Sequence, residues 1–183
     1  MDRLLTSPED GTLVAWPAYL DALQAFDADE PTYLHLYVQG NASENEVSAG
    51  AGGAKFAYIV PDSDDPTGRT LTFAERHLVL ECAAAASAIV IEDGGYSERR
   101  YEGEQLQPLF VLSAENVVGI DNGRVAYCGT FSKTLSLRLR VGWVAAPFDL
   151  IEKLVLVKQA SDLHSPNLYQ MVLARVAETI FDN

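Results

Sequence analysis

Apolar runs alternate with amphipathic segments along this chain. Short runs rich in apolar and β-branched residues predict strands at 12–16, 33–38, 56–60, 88–91 and 125–128, with a further apolar run at 141–147. Apolar residues spaced by three or four predict helices at 18–26, from 72, at 150–160 and from 166. Strands separated by helices are typical of parallel sheets, so the sequence predicts an α/β fold with a mostly parallel sheet flanked by helices.

Capping chemistry predicts where several helices begin. Thr72 and Glu75 form a capping box, in which each side chain bonds the backbone N–H of the other residue. Asp149 is placed to cap the helix at 150–160, and Ser165 with Pro166 begins the last one. The remaining long segments are predicted as loops, at 39–54 and at 97–123, the second with room for a short extended piece at 117–120.

Apolar spacing also predicts the buried faces of two helices. The helix from 72 is expected to bury Leu78, Cys82, Ala85 and Ala86. The last helix is expected to bury Leu168, Met171, Val172, Val176 and Ile180.

Composition and charge narrow the class of partner. The chain has 183 residues, and its 26 acidic and 13 basic side chains give a net charge of −13, which argues against nucleic acid or an anionic membrane as partner. No apolar run approaches the ~20 residues of a membrane span, and the N-terminus lacks a signal-peptide pattern, so a cytoplasmic protein is expected. Cys82 and Cys128 lie in apolar runs and are expected to be buried free thiols, and no metal site is predicted.

Polar clusters follow three of the predicted strands, at 65–68, 93–96 and 130–133. In open α/β sheets ligands collect at the carboxyl ends of strands, so these clusters are expected to share one site. The last cluster carries Lys133 between hydroxyl residues, with Arg140 a little further on. A lysine in this setting can form an imine with an aldehyde cofactor, while hydroxyls and a guanidinium hold a phosphate.

Four short motifs in this order resemble the class I and II aminotransferases, which are pyridoxal-phosphate enzymes of fold type I. They are Asp-Pro-Thr-Gly at 65–68, Glu-Asp-x-x-Tyr at 92–96, Ser-Lys-Thr-Leu at 132–135 and Arg-Val-Gly-Trp at 140–143. The chain is most similar to the aminoadipate, kynurenine and aromatic aminotransferase branch, also seen as the effector domain of MocR-type regulators. The resemblance implies pyridoxal 5'-phosphate as cofactor, an amino acid and a 2-oxo acid as small-molecule partners, a homodimer, and a role in amino acid metabolism and biosynthesis.

The resemblance gives catalytic roles to three residues. Lys133 would form the Schiff base with the cofactor aldehyde and later move a proton. Asp93 would lie against the pyridine nitrogen and keep it protonated, and Tyr96 would hydrogen-bond the phenolic oxygen. The alternatives for these residues are a solvated surface lysine, a helix or turn cap, and a half-buried tyrosine.

Further residues match the family's cofactor-binding positions. Arg140 would pair with the phosphate, to which Thr130 and Ser132 would donate their hydroxyls. Tyr19 would stack on the cofactor ring. The alternatives are a surface ion pair for Arg140 and an ordinary core aromatic for Tyr19, and Arg138 is the less favoured phosphate ligand.

The chain departs from the family pattern at two places and in length. Asp65 stands where the family has an asparagine that donates to the phenolic oxygen, and an ionised carboxylate cannot donate. Leu137-Arg138 replaces a frequent Pro-Gly pair. Family members are about twice as long, so residues 1–183 are predicted to be a single, partial large domain that lacks the family's N-terminal segment and C-terminal small domain.

Three functions are compatible with these residues. The first is amino-group transfer from an amino acid to a 2-oxo acid through Lys133 and pyridoxal phosphate. The second is a truncated, non-catalytic relative that binds the cofactor or regulates another protein. The third is another pyridoxal-phosphate reaction on the same scaffold, such as a β-lyase or a decarboxylase, since fold does not decide reaction type.

Overall fold

One six-stranded sheet organises the fold. The computed structural model describes residues 10–36, 38, 53–99 and 102–181. Its strands are β1 (Gly11–Val14), β2 (Thr32–His35), β3 (Ala54–Ile59), β4 (Ile89–Asp93), β5 (Val125–Thr130) and β6 (Gly142–Ala145). They lie in the order β2-β1-β3-β4-β5-β6, and every neighbouring pair is parallel except β5 and β6. The predicted fold class, an α/β fold with a mostly parallel sheet, is confirmed.

Helices connect the strands and cover the sheet. The α-helices are α1 (Leu20–Phe26), α2 (Phe73–Ala86), α3 (Leu109–Asn116), α4 (Phe148–Ser161) and α5 (Asn167–Phe181). The predicted capping box is confirmed, since Thr72 accepts the N–H of Glu75 while the Glu75 carboxylate accepts the N–H of Thr72. The box fixes the start of α2, the helix that returns the chain from β3 to β4.

The two faces of the sheet bury different side chains, because successive residues of a strand point to opposite sides. The larger core lies on the face covered by α2 and contains Leu13, Ala57, Ile59, Val79, Cys82, Val90 and Leu109. The opposite face, covered by α1, buries a more aromatic cluster of Phe26, Phe56, Tyr58, Val60 and Ile91. Tyr19, Tyr96 and Cys128 pack against this second cluster. Two residues that the sequence assigns to the site, Tyr19 and Tyr96, therefore lie beside the aromatic face of the sheet.

The prediction of a loop at 97–123 is wrong over part of its length. Residues Leu109–Asn116 form α3, a 3₁₀ turn follows at Ile120–Asn122, and no strand occurs at 117–120. The N–H groups that begin α3 are accepted by the side chain of Glu92, which belongs to β4. Because this cap is distant in sequence, local chemistry around Pro108 does not reveal it.

Three details of the predicted helices also differ. On α2 the buried positions are Arg76, Val79, Cys82 and Ala83, whereas Ala85 is exposed. Asp149 lies in the first turn of α4 and does not cap it; instead Asp121 accepts the N–H of Phe148. On α5 the predicted inner residues Leu168, Met171 and Val172 are exposed, Val176 is half-buried, and Leu173 is buried.

The remaining predictions concern cysteines, membranes, metals and the first loop. Cys82 is buried, Cys128 is half-buried, and both are free thiols. None of the helices in the described ranges is long and apolar enough to cross a membrane. The residues described also contain no group of side chains suited to a metal ion. Of the loop predicted at 39–54, residues 39–52 lie outside the described residues, and Ala54 already begins β3.

Candidate active site

The three polar clusters lie side by side at one edge of the sheet. They follow β3, β4 and β5, which are consecutive neighbours and run in the same direction. In this register Asp93, the last residue of β4, pairs with Cys128, two residues before the end of β5. The predicted meeting of the clusters at the carboxyl ends of the strands is confirmed.

Asp93 is held by two hydrogen bonds at the end of β4. Its Oδ1 accepts the N–H of Gly95 at 3.0 Å, and its Oδ2 accepts the hydroxyl of Tyr58 at 2.8 Å. Burial, followed by the Asp93 charge and this hydrogen bond, holds the pKa of Tyr58 far above its usual range. Tyr58 therefore keeps its proton and acts as the donor, and the carboxylate has a fixed orientation.

Lys133 and Asp65 meet at Tyr96. The Nζ atom of Lys133 lies 4.9 Å from the centre of the Tyr96 ring, a distance at which an ammonium group interacts favourably with an aromatic face. The Tyr96 hydroxyl donates to Oδ2 of Asp65 at 3.3 Å. The side chains that follow β3, β4 and β5 are thus joined into one group.

Tyr19 approaches the same group from the segment before α1. Its hydroxyl donates to Oδ2 of Asp21 at 2.7 Å. That hydrogen bond, then burial, raises the pKa of Tyr19 to about 12, with smaller contributions from Tyr96 and Asp65. The hydroxyl is thus bonded to Asp21, while the half-buried ring packs against the aromatic cluster.

The loop after β5 brings Arg140 back beside Ser132. Its two ends are joined by the hydrogen bond from the Phe131 N–H to the Val141 carbonyl, at 3.1 Å. Arg140 then contacts the Ser132 hydroxyl at 3.5 Å, and the Ser132 N–H is accepted by Thr130 Oγ1 at 3.1 Å. This arrangement forms a small polar corner with one cation and two hydroxyl groups.

Arg140 has two properties that suit an anion-binding role. It is exposed, and within the described part of the chain no carboxylate pairs with it. Its φ of 50° also lies in the left-handed region, which is uncommon for a residue with a side chain and is found preferentially at functional positions.

Close backbone packing supports the strand end that precedes Lys133. The indole of Trp143 on β6 lies directly against Gly129 of β5, where an added Cβ would overlap the ring. The same indole stacks on Tyr127, with ring centres 5.2 Å apart. A cleft of about 590 Å³ opens beside this support, and Thr130 and Lys133 are among its lining residues. Asp93, Tyr96 and Arg140 are not among the residues that line it.

A buried group of charges lies beneath the site. The guanidinium of Arg76, which has no exposed surface, donates to Asp62 at 2.7 Å and to the carbonyls of Pro61, Leu71 and Gln107. It thereby ties together both ends of the loop that carries Asp65. Burial raises the pKa of Glu92 to about 7, although the N–H groups at the start of α3 and the charge of Arg76 oppose the rise.

These residues fit pyridoxal 5'-phosphate at every position except one. The amine of Lys133 suits the aldehyde, the twice hydrogen-bonded carboxylate of Asp93 suits a protonated ring nitrogen, and the exposed guanidinium of Arg140 suits a phosphate. Asp65 is the exception, because its carboxylate already accepts the Tyr96 hydroxyl and offers no donor to a phenolic oxygen.

Sequence reasoning missed Tyr58, Arg76 and Glu92. The strand pattern treats Tyr58 as a core residue of β3, which it also is, and only the register with β4 shows that it reaches Asp93. Arg76 lies on an otherwise apolar helix face, so its complete burial contradicts the usual preference of charged residues for the surface. Glu92 stands directly before Asp93 in the recognised motif, and that position was the one signal available for it.

Comparisons with known proteins identify the family of this chain. Residues 48–183 match the family described as aminotransferase class I and II. The aromatic-amino-acid aminotransferase 1 of Thermococcus litoralis is 33% identical over 184 residues, covering 96% of this chain and 42% of the relative. The uncharacterized transcriptional regulator YisV of Bacillus subtilis, of the helix-turn-helix type, is 30% identical over 166 residues, covering 86% of this chain and 32% of the regulator.

A solved structure supports the same relationship. The α-aminoadipate aminotransferase LysN of Thermus thermophilus, complexed with N-(5'-phosphopyridoxyl)-L-leucine, superposes with a TM-score of 0.86 at 28% identity, covering 99% of this chain and 46% of that one. The chain spans less than half the length of these relatives. Its fold is that of the fold type I pyridoxal-phosphate aminotransferases. The chain belongs to the class I and II aminotransferase family.

Proposed function

We propose that this chain is part of the large domain of a pyridoxal-phosphate-dependent aminotransferase, with the cofactor bound through Lys133. The observation that carries the proposal is the grouping of Lys133, Tyr96 and Asp93 at the ends of adjacent strands. An amine, a phenol and a fixed carboxylate are the groups needed to attach the cofactor, orient it and keep its ring nitrogen protonated. The substrates would be an amino acid and a 2-oxo acid, and the assembly a homodimer.

The residues divide the chemistry between them. When bound, pyridoxal 5'-phosphate supplies an electron sink for the charge left at the substrate Cα. Lys133 Nζ would hold the cofactor before the substrate arrives and would afterwards take the proton from the substrate Cα and move it to the cofactor carbon. Asp93 presents a charged carboxylate to the ring nitrogen, and the hydrogen bonds from Tyr58 and Gly95 keep that carboxylate in place.

The polar corner after β5 would hold the phosphate. Arg140 brings a positive charge without a carboxylate partner in the described ranges, and Ser132 contacts the same guanidinium. Thr130 would contribute its hydroxyl from the strand end, and the ring of Tyr19 would cover the cofactor. Charge and hydroxyl donors together suit a dianionic group better than either alone.

Amino-group transfer is tested by following the cofactor itself. The purified chain, loaded with pyridoxal 5'-phosphate, is given an aromatic amino acid or 2-aminoadipate, because relatives are named for acting on these. We expect conversion to pyridoxamine 5'-phosphate with release of the matching 2-oxo acid, and no conversion by Lys133→Ala. A loaded chain that leaves the cofactor unchanged with both donors contradicts the proposal.

Cofactor binding without turnover is the second candidate. It is supported by the similarity to a helix-turn-helix regulator over 86% of this chain and by Asp65, which weakens the fit to a cofactor with a phenolic oxygen. The same experiment separates the two candidates. A pure binder would hold the cofactor at Lys133 and form no pyridoxamine 5'-phosphate.

A further inference from the structure

We propose that Tyr58 is a positioning residue that sets how strongly Asp93 holds the ring nitrogen of the cofactor. The inference rests on the proposed function, because it assigns a partner to a residue of that same site. It concerns a contact of this chain's own side chains, the 2.8 Å hydrogen bond from the Tyr58 hydroxyl to Asp93 Oδ2.

The sheet register determines this contact. Tyr58 of β3 pairs with Ile91 of β4, so Asp93 lies two positions further along the neighbouring strand and on the same face. A diagonal neighbour at this offset is within reach of a long aromatic side chain. The hydroxyl of Tyr58 therefore reaches the carboxylate from within the sheet and not from beyond the carboxyl ends of the strands.

Packing prevents the Tyr58 ring from turning elsewhere. The residue is 4% exposed, and its ring meets the edge of Phe26 with centres 5.3 Å apart. Phe56, Val60 and Ile91 complete the buried cluster around it. Since burial also keeps the phenol protonated, the hydroxyl remains a donor to Asp93.

The second oxygen of Asp93 is also occupied. Oδ1 accepts the N–H of Gly95, in the turn that follows β4. Two donors on opposite oxygens fix the plane of the carboxylate. A carboxylate in a fixed plane pairs with a protonated ring nitrogen, whereas without the Tyr58 bond the Gly95 N–H alone would hold the carboxylate.

The test compares Tyr58→Phe with unmodified chain for two ligands. One ligand is pyridoxal 5'-phosphate, and the other is its carbocyclic analogue, in which a C–H group replaces the ring nitrogen. The variant keeps the buried ring and loses only the hydroxyl, so we expect binding of pyridoxal 5'-phosphate to weaken by about tenfold, as for the loss of one hydrogen bond to a charged group. Binding of the carbocyclic analogue should not change, because Asp93 has no nitrogen to hold.

Tyr33→Phe is the matched control. Tyr33 packs against the same aromatic cluster, but its hydroxyl donates to Leu23 and Asp27, remote from Asp93. We expect this variant to bind both ligands as the unmodified chain does. We also expect Tyr58→Phe to have no further effect when Asp93 is already asparagine, since the two residues act through one contact.

Three results would overturn the inference. They are unchanged binding of pyridoxal 5'-phosphate by Tyr58→Phe, equal weakening for both ligands, and an undiminished effect in the Asp93→Asn chain. The first two would leave Tyr58 as a packing residue only. Failure of the unmodified chain to bind pyridoxal 5'-phosphate would be a different result, because it would overturn the proposed function as well.

Discussion

Asp65 is the residue whose chemistry fits the proposed cofactor least. Its carboxylate accepts the hydroxyl of Tyr96, the group assigned to the phenolic oxygen of the cofactor. Asp64 stands next to it, and burial, together with the charge of Asp65, raises the pKa of Asp64. A further negative oxygen would therefore enter a region already crowded with carboxylates.

Replacing Asp65 by asparagine should tighten cofactor binding. The amide of Asp65→Asn supplies a donor and removes a charge, so we expect the Kd for pyridoxal 5'-phosphate, measured by titration, to fall by about tenfold. Asp64→Asn is the control, since it removes a nearby charge without altering the contact to Tyr96. Equal or weaker binding by Asp65→Asn would mean that the carboxylate is protonated or points elsewhere.

Single residues of the site were predictable from sequence when they follow a strand. Lys133, Asp93 and Asp65 lie in short motifs at strand ends, and parallel strands bring such ends together. Tyr58 was not predictable, because its position inside a buried strand suits a core residue equally well. Its contact to Asp93 depends on the register between two strands, which the sequence does not specify at this precision.

At the scale of elements, β4 and α3 are joined through a buried carboxylate. Glu92 has no exposed surface, and its two oxygens accept the N–H groups of Leu109 and Phe110. The helix thus takes its cap from the sheet instead of from its own sequence. This explains why the segment was predicted as a loop, whereas α2, which carries its own capping box, was predicted correctly at its start.

Glu92 should make the stability of the chain depend on pH. Its pKa in the folded chain is about 7, above the ordinary value of 4.5, so the folded state binds the proton more tightly than the unfolded state does. The free energy of unfolding contributed by this group is therefore greatest below pH 4.5 and is lost as the pH rises through 7. The full change corresponds to about 3 kcal/mol.

Glu92→Gln removes the titration and is the variant that tests it. The measurement is the free energy of unfolding in urea, for the variant and for the unmodified chain, between pH 5 and pH 8. We expect the value for the variant minus the value for the unmodified chain to increase with pH, by up to about 3 kcal/mol. Glu115→Gln, an exposed change on the same α3 helix, should show no such trend. A constant difference between Glu92→Gln and the unmodified chain would contradict a raised pKa of Glu92.

At the scale of the whole molecule, the last two helices expose an apolar face. Leu156 of α4 and Leu168, Met171 and Val172 of α5 are among the exposed large apolar residues, with Leu168 at 67% and Met171 at 70%. Apolar spacing predicted that α5 buries these residues, and the spacing itself is present. A sequence shows that a face is apolar, but it does not show which molecule or segment covers it.

If the chain is a homodimer, as proposed, we expect two copies to associate through this apolar face. We expect sedimentation to show a dimer of the unmodified chain and a monomer when Leu168 and Met171 are both changed to aspartate. Val118→Asp is the control, because Val118 is 87% exposed and lies in the turn after α3, outside both helices. Equal masses for the double variant and the unmodified chain would contradict this prediction.

The attachment point of the cofactor tests the proposed function most directly. The chain is incubated with pyridoxal 5'-phosphate, reduced with borohydride, digested and examined by mass spectrometry. We expect the added mass on the peptide that contains Lys133, its absence from Lys133→Ala, and its retention when Lys153, an exposed lysine of α4, is changed to alanine. Stable labelling of Lys133→Ala at another lysine, or no labelling of the unmodified chain, would contradict a cofactor site at the end of β5.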